Sequence, residues 1–544
     1  MKLSKLAQTY ERIRVAAGEP ARRRILAEMF RRADRSTLEA LAHLTVGELV
    51  KPELSDKLGI GPGTIRAALA QLSGAEESLI DDEVKRTGDM SEVVAELLRV
   101  GRDELTVLEL WQRLNRLVTR DENRLRAVTD IFRQTNANGA RYFTRMALNQ
   151  MRIGVGFGTV ARAIAEAFEV EAEAVEHLYA MTNDIGLAAT KAKRGRRSLE
   201  RTRLAVFRPY QFMNAQKVDD PAEIFARLAG KQILFEVKYD GARLQMHIKA
   251  GRTPEVRLYS RRLNDDTQAM PDVVAALSSA WRGGDAILEG EAVAYDPRLG
   301  RKLPFQAVLM RLGRVHDIEA KAREIPLVLH LFDLLYHDGE DLMNVPQAER
   351  RARLARLFRP TKRVMLTESI VTDEIKEQAR FFRRALREGH EGLLAKDPDA
   401  PYLPGQRTEY WMKIKPAFET LDVVVVGGIW GSGRRQGLLS SLVVAIRDED
   451  TFQTVGKVGT GFSEEVLRDL TRKLEPRIIT TRGRHVEIEP AMVIEVDFQD
   501  IQKTASYSAG YVLRIPRFKR ERVDKSIREA DTLERLKRLY KQSH

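Results

Sequence analysis

Apolar positions recur with two different rhythms along this chain. From the N-terminus to about residue 190 they return every three or four residues with charges between, as in segments 22–32, 91–100 and 160–167. That period puts them on one stripe of a helix, so the first region is expected to be all-α. Glycine-rich turns punctuate it at Leu58-Gly59-Ile60-Gly61-Pro62-Gly63 and at Arg152-Ile153-Gly154-Val155-Gly156. Thr64 stands where it could cap a helix beginning near Ile65. After about residue 205 short apolar runs alternate with helical patterns. Strands are expected over 233–239, 256–260, 287–295 and 327–335, followed by a charged helix through Ala348, Glu349, Arg350 and Arg351. A further change comes near Pro416. From 421 on, short β-rich segments (421–426, 438–446, 492–498) are separated by glycine turns, the spacing of a small barrel or sandwich.

These changes divide the chain into three expected domains, 1–205, 206–418 and 419–544. A basic cluster, Lys191, Lys193, Arg194, Arg196 and Arg197, ends the first and reads as a linker or as a phosphate-facing patch. The 544 residues carry a formal charge of +13, with 31% charged and 43% hydrophobic. An ordinary core with excess positive charge points to a polyanionic partner, of which nucleic acid is the commonest. There are no cysteines, which excludes disulfides and thiolate zinc sites. No apolar run approaches the roughly 20 residues that span a bilayer, and Met1-Lys2-Leu3-Ser4-Lys5 lacks a secretory apolar core. An intracellular, cytoplasmic protein with no membrane partner is expected.

Candidate chemistry concentrates at Glu236-Val237-Lys238-Tyr239-Asp240-Gly241-Ala242-Arg243. An apolar strand ends there in a lysine and a tight glycine turn, and alternation puts Glu236 and Lys238 on one face. An amine so placed becomes a nucleophile if desolvation or nearby positive charge lowers its pKa. Alone, a K-x-D-G turn reads as a surface lysine. Six further segments follow in order: Ser260-Arg261-Arg262-Leu263-Asn264-Asp265-Asp266-Thr267, Leu288-Glu289-Gly290-Glu291, Phe332-Asp333-Leu334-Leu335-Tyr336, Glu391-Gly392-Leu393-Leu394-Ala395-Lys396, Trp411-Met412-Lys413-Ile414-Lys415 and Leu513-Arg514-Ile515-Pro516-Arg517-Phe518. Glu289 and Glu291 are two apart on a strand, as are Lys413 and Lys415, so each pair can present two like charges to one site.

This ordered set resembles ATP-dependent DNA ligases of the covalent nucleotidyltransferase superfamily, over nearly the whole chain. The resemblance implies a multidomain protein with an all-α DNA-binding domain, an α+β nucleotidyltransferase (ATP-grasp-like) domain and a C-terminal β-barrel of the OB-fold type. It implies sealing of 5′-phosphate/3′-hydroxyl nicks in duplex DNA during replication, repair or recombination, through a lysyl-AMP and a DNA-adenylate. Lys238 stands in the place of the lysine that takes AMP. Glu236, Arg243, Arg261, Glu291, Phe332, Arg407, Lys413 and Lys415 fall at nucleotide-binding positions, with Phe332 stacking on adenine, and Lys396 is expected to add further positive charge. Glu291 and Glu391 fall at metal-associated positions for Mg²⁺, with Mn²⁺ as the alternative ion. Arg152, Arg514, Arg517 and Lys525 are placed to meet DNA or phosphate. Trp430-Gly431-Ser432-Gly433-Arg434-Arg435 and 456–462 resemble parts of the barrel, with a hinge over 416–422. The expected partner is nicked double-stranded DNA, bound by a monomer; a sliding clamp is a further candidate, without a recognisable docking peptide. The related readings are an RNA ligase or GTP-dependent capping enzyme, and a non-catalytic DNA-binding scaffold. Three departures stand out: Arg262 for the usual asparagine, Glu289 for the commoner aspartate, and Phe212-Met213-Asn214-Ala215 for Pro-Met-Leu-Ala. The first two bear on rate or metal preference, and the third on local packing alone.

Overall fold

Burial follows the two rhythms. The computed structural model describes every residue except 99–101, 297, 299–300, 417–419, 432–434, 436, 499 and 544, and the side chains of all described residues except 55–57, 542 and 543. The chain divides into two compact units, Met1–Lys415 and Pro416–His544. In the first, thirteen described α-helices run from Leu3–Val15 to Arg196–Glu200 and enclose one apolar core from Leu3 to Leu199. The helices Gly18–Arg32, Met90–Leu97 and Phe157–Phe168 contain the expected segments, except that residues 99 and 100 lie outside the described residues. Thr64 is not a cap. The helix Pro62–Ser73 starts earlier, with Gly61 at its N-cap, because Pro62 has the right φ for a first helical position and no N–H to satisfy. The basic cluster belongs to two helices, Ile185–Ala192 and Arg196–Glu200, and the turn between them; Lys193 donates to the Ala33 carbonyl and Arg196 pairs with Glu200 at 2.7 Å.

The strands of this unit are β1 (Asn214–Val218), β2 (Ile233–Lys238), β3 (Ala242–Lys249), β4 (Glu255–Tyr259), β5 (Ala286–Ala294) and β6 (Leu327–His337). They continue with β7 (Glu340–Asp341), β8 (Val364–Leu366), β9 (Ser369–Thr372), β10 (Gly392–Lys396) and β11 (Arg407–Ile414). One sheet has the order β1-β11-β10-β2-β9; the other runs β4-β3-β5-β6-β7, with β8 added to β6. The charged helix spans Gln347–Arg356. Helical region and sheets share an apolar cluster in which Met181 and Leu204 meet Tyr210, Phe332 and Trp411. The Gln211 N–H also donates to the Ala180 carbonyl at 2.7 Å.

The second unit contains β12 (Thr420–Trp430), β13 (Leu439–Asp448), β14 (Thr451–Val458), β15 (Ile478–Arg482), β16 (His485–Ile488), β17 (Val493–Asp497), β18 (Asp500–Lys503), β19 (Tyr511–Arg514) and β20 (Arg517–Glu521). β14-β13-β12 continue through β17 to β20, and a bridge from Thr460 to Arg517 joins β20 back to the chain leaving β14. That circuit is the expected barrel. Residues 432–434 of the expected barrel-opening motif lie outside the described residues.

One buried histidine locks the helical region. His43 is out of solvent, with Nδ1 2.6 Å from Glu48, Nε2 3.1 Å from Asp184 and its ring stacked on Trp111 at 4.8 Å. Burial alone would lower its pKa, but the hydrogen bonds and charges of Asp184 and Glu48 raise it from 6.5 to about 9. A folded pKa above the unfolded value means this stabilisation is complete below pH 6.5 and is lost as pH rises through about 9. His43→Gln, which cannot titrate, should be less stable than the parent by roughly 1–3 kcal/mol at acid to neutral pH. Melting temperatures across a pH series should show that gap closing between neutrality and about pH 10; a gap independent of pH would contradict a charged His43.

Candidate active site

The alternation of β2 divides its work between two faces. Ile233, Phe235 and Val237 point into a core with Phe381, Leu393, Met412 and Ile414, which leaves Leu234, Glu236 and Lys238 on the other side. Two glycines let neighbouring carboxylates reach Lys238. A Cβ on Gly241 would stand 2.4 Å from the Ala292 carbonyl and 2.9 Å from Glu291 Cγ, so only glycine lets this turn lie on β5. Gly392 has φ +140°, and a Cβ there would meet the Ile414 carbonyl at 2.1 Å, so only glycine lets β10 begin beside β11 directly after Glu391.

Lys238 Nζ contacts Glu391, and Lys415 Nζ lies 3.2 Å from the same Glu391 oxygen. Burial pulls the Lys238 pKa down, but the Glu391 and Glu291 carboxylates outweigh it and hold the ammonium above its ordinary value. This reverses the expected activation: in this state Lys238 is stabilised in its protonated form. Burial, with Glu391 and Asp240 adding to it, pushes Glu291 up to about 7 against the opposing charges of Lys238 and Arg243. Burial also disfavours the Glu391 carboxylate, yet Lys238 and Lys415 keep its pKa low.

Cations gather at the same mouth. Lys413 lies near the end of β11 and Lys415 directly after it, and both have lowered pKa values. For Lys413 the cause is burial first, then the positive charges of Lys415, Arg407, Lys238 and Arg261. Arg407 donates to the Ala215 carbonyl at 2.8 Å, and Arg261 to the Asn214 side chain at 3.4 Å. Five cations therefore face one another with too little negative charge among them, an arrangement that a polyphosphate relieves.

Beneath this mouth lie carboxylates that do not face substrate. Glu289 is fully buried, accepting from Arg243 at 2.5 and 3.2 Å, from Tyr210 at 2.7 Å and from Tyr402 at 2.5 Å. Its extra methylene relative to aspartate serves this clamp, not a metal contact. Arg243 donates also to the Met213 carbonyl at 2.7 Å and lies 4.6 Å from the Phe212 ring, so its guanidinium is spent on protein groups instead of lying open to nucleotide. The Phe212-Met213-Asn214-Ala215 segment thus touches two site arginines, Arg243 and Arg261, and its role exceeds local packing. Glu236 is taken up by Lys396 at 2.7 Å, by Thr367 at 2.9 Å and by Arg351. Lys396 is wholly buried, its ammonium 4.7 Å from the Phe332 ring and 4.4 Å from that of Trp411. It therefore stands over the aromatic face expected to receive adenine and adds no free charge to the mouth.

Reasoning from sequence missed a cluster behind Lys238. The Tyr239 ring stacks on His330 at 3.8 Å and meets the edge of His390 at 4.7 Å, while Lys302 lies 2.7 Å from His390 Nδ1. Tyr239 follows Lys238, His330 is the cross-strand partner of Glu291, and His390 precedes Glu391. One aromatic cluster thus backs all three groups. The available signal was that each of its members lies within two residues of a motif residue.

The expected DNA contacts fall in the helical region and in the second unit. Arg152, with φ +52°, pairs with Asp89 at 2.7 Å in the helical region. In the second unit Arg514 ends β19 and Arg517 opens β20, exposed. Lys525 is bound at 2.6 Å by Asp422, which also holds Arg522 at 2.8 Å, so a structural ion network occupies it in place of an open phosphate site.

A half-buried lysine against a carboxylate, beside a cluster of underneutralised cations, is an arrangement suited to transfer of a phosphorylated group to an amine. Comparisons with known proteins specify it further. The ATP dependent DNA ligase domain family matches residues 212–415, the DNA ligase N terminus family residues 2–165, and the ATP dependent DNA ligase C terminal region residues 435–525. The DNA ligase of Thermococcus fumicolans is 38% identical over 99% of this chain and 98% of its own. That of Methanopyrus kandleri is 38% identical over 100% and 99%. A solved structure named Pmar-Lig_PreS3, 18% identical and covering 95% of this chain and 99% of its own, shares the fold with a TM-score of 0.58. The chain belongs to the ATP-dependent DNA ligases, enzymes that seal nicked DNA with ATP and a divalent metal. Among the described residues no helix is long and apolar enough to cross a membrane.

Glu289→Gln should destabilise the first unit by roughly 3–5 kcal/mol, because it leaves the Arg243 guanidinium buried without its counter-charge. Urea unfolding reads that loss. In the folded fraction, the metal concentration giving half-maximal lysine adenylation should stay as in the parent, whereas a large increase would restore Glu289 as a metal ligand.

Proposed function

We propose that Lys238 is the nucleophile that takes AMP from ATP in nick sealing, with Lys413, Lys415, Arg261 and Arg407 receiving the phosphates. The observation that carries this reading is the excess of positive charge around Lys413 beside a lysine held by two glutamates. Lys238 Nζ would bond to the α-phosphorus as the bond to pyrophosphate breaks, after Nζ gives up a proton. Glu291 and Glu391 suit a hard divalent cation: both are carboxylates near one lysine, and burial, with Glu391 and Asp240 adding to it, raises Glu291 to about 7 despite the charges of Lys238 and Arg243. A divalent ion there, Mg²⁺ in our reading, would offset the carboxylates that keep Lys238 protonated and help neutralise the phosphates. AMP then passes to the 5′-phosphate of the nick, and the 3′-hydroxyl displaces it.

Arg243 and Glu236 act in this reading as positioning residues: Arg243 shapes the pocket floor under Phe332, and Glu236 fixes Lys396. The helical region 1–205 holds duplex DNA, 206–418 carries adenylation, and 419–544 offers Arg517 to the nucleotide and the nick. The protein works as a monomer, inside the cell where its DNA is.

The test is joining of a 5′-phosphorylated nick with Mg²⁺ and ATP, GTP, NAD or no nucleotide, resolved on a denaturing gel. Joining with ATP alone is expected. Lys238→Ala should abolish joining yet keep sealing of a pre-adenylated nick; equal loss on both substrates would remove Lys238 from the nucleophile role. Lys413→Ala and Lys415→Ala should each slow self-adenylation about 10²–10³-fold, as loss of one preorganised charge contact does.

A further inference from the structure

β9 is the outer strand of its sheet, paired with β2 on one side only. An antiparallel edge presents alternate N–H and C=O groups outward, which is a template for another strand. The strand is short, and Val371 on it is 58% exposed. What flanks it on each face is specific.

Ser369 and Val371 line a cavity of about 660 Å³. Leu234, Leu366, Ala348, Ala352 and Ala355 make its walls largely apolar. Gln347 also lines it; the residue is fully buried, and neither its amide nitrogen nor its amide oxygen has a hydrogen-bond partner. A buried amide without partners is costly unless something else meets it. Arg351, which holds Glu236, also lines the cavity.

Ile370 points to the other face, into a groove of about 560 Å³ along the helix Ile375–Arg387. Phe381 and Ala385 anchor that helix in the core, so its outer stripe carries Arg380, Arg383, Arg384 and Arg387, all exposed. Spacings of three and four place these guanidiniums side by side, where like charges repel. Glu377 reaches Arg380 at 3.9 Å and Glu368 reaches Arg384; Arg383 and Arg387 have no acidic partner among the described residues.

We propose that the β9 edge is a docking site for an extended segment of a partner protein. The segment adds to the sheet as a strand, sends an aromatic side chain with a polar end into the cavity, and lays carboxylates along the arginines. Main-chain pairing supplies affinity and the alternate side chains supply selection, the usual division in strand addition. A tyrosine suits the cavity because its ring fills apolar space while its hydroxyl can both donate to and accept from Gln347. Nucleic acid would satisfy the arginines but would leave the apolar cavity and its amide unmet. Ala352, Arg383 and Arg387 are not among the nick-sealing groups, so sealing serves as a check on folding.

The probe is a fluorescein-labelled octapeptide of alternating tyrosine and glutamate, titrated with the full chain and read by anisotropy. Saturable binding is expected. It should weaken at least about 10-fold when lysine replaces glutamate, when alanine replaces tyrosine, or when alternate peptide amides are N-methylated. R383E/R387E and Ala352→Trp, which fills the cavity, should weaken it as much while sealing nicks at the parent rate. Four results would overturn the proposal: no binding; binding indifferent to N-methylation and to the loss of tyrosine; complete competition by a short DNA duplex that itself loses affinity in R383E/R387E; or self-association of the chain through this face that the same variant abolishes.

Discussion

The arrangement around Lys238 rests on charge pairs withdrawn from water. Glu289 with Arg243, Asp333 with Arg350, and Glu236 with Lys396 and Arg351 place carboxylates with at most 2% exposure against cations from other segments. Desolvating such groups is expensive, so each pair is tolerable only with good geometry and saturated hydrogen bonding. Losing one partner leaves the other stranded, which restricts the alternatives open to β5 and β6. Glu289 and Asp333 are cross-strand neighbours, so two of these pairs lie side by side under the site. They fix the floor on which Glu291, two residues from Glu289, reaches Lys238.

Above that floor the balance differs. Lys413, Lys415, Arg261 and Arg407 carry a surplus that Glu391 only partly meets; burial first, and then the neighbouring positive charges, lower the pKa values of the two lysines. The buried layer is electrically closed, and the open layer is electrically incomplete. A nucleotide's phosphates complete the second without disturbing the first, and this separation lets one domain be both stable and receptive.

Much of this was legible in the chain because strand alternation is local. The shared face of Glu236 and Lys238, the pairing of Lys413 with Lys415 and the ordered motifs needed no tertiary information. The barrel also announced itself through turns and short apolar runs. What alternation cannot show is which group stands opposite. Glu289 and Glu291 share a face, yet one is clamped by Arg243 and two tyrosines and the other meets Lys238; only the fold of 210–213 and 402 over β5 separates them. The sign of the Lys238 shift was hidden for the same reason, since Glu391 arrives from a strand some 150 residues away. Asn214 and Phe212 looked incidental because their arginine neighbours, Arg261 in the turn after β4 and Arg243 on β3, lie tens of residues further along the chain. Thr64 lost the cap to the local preference of Pro62, and Lys525 was drawn inward by Asp422, a hundred residues earlier.

The protonation of Lys238 bears on its chemical safety as well as its catalysis. A neutral amine in an accessible cleft reacts with stray carbonyls, activated esters and acyl donors, and each such adduct would block the role proposed for it. An ammonium has no lone pair to offer them. By resting against Glu391, the side chain on which the site depends is kept inert until charge enters the cleft to displace that contact.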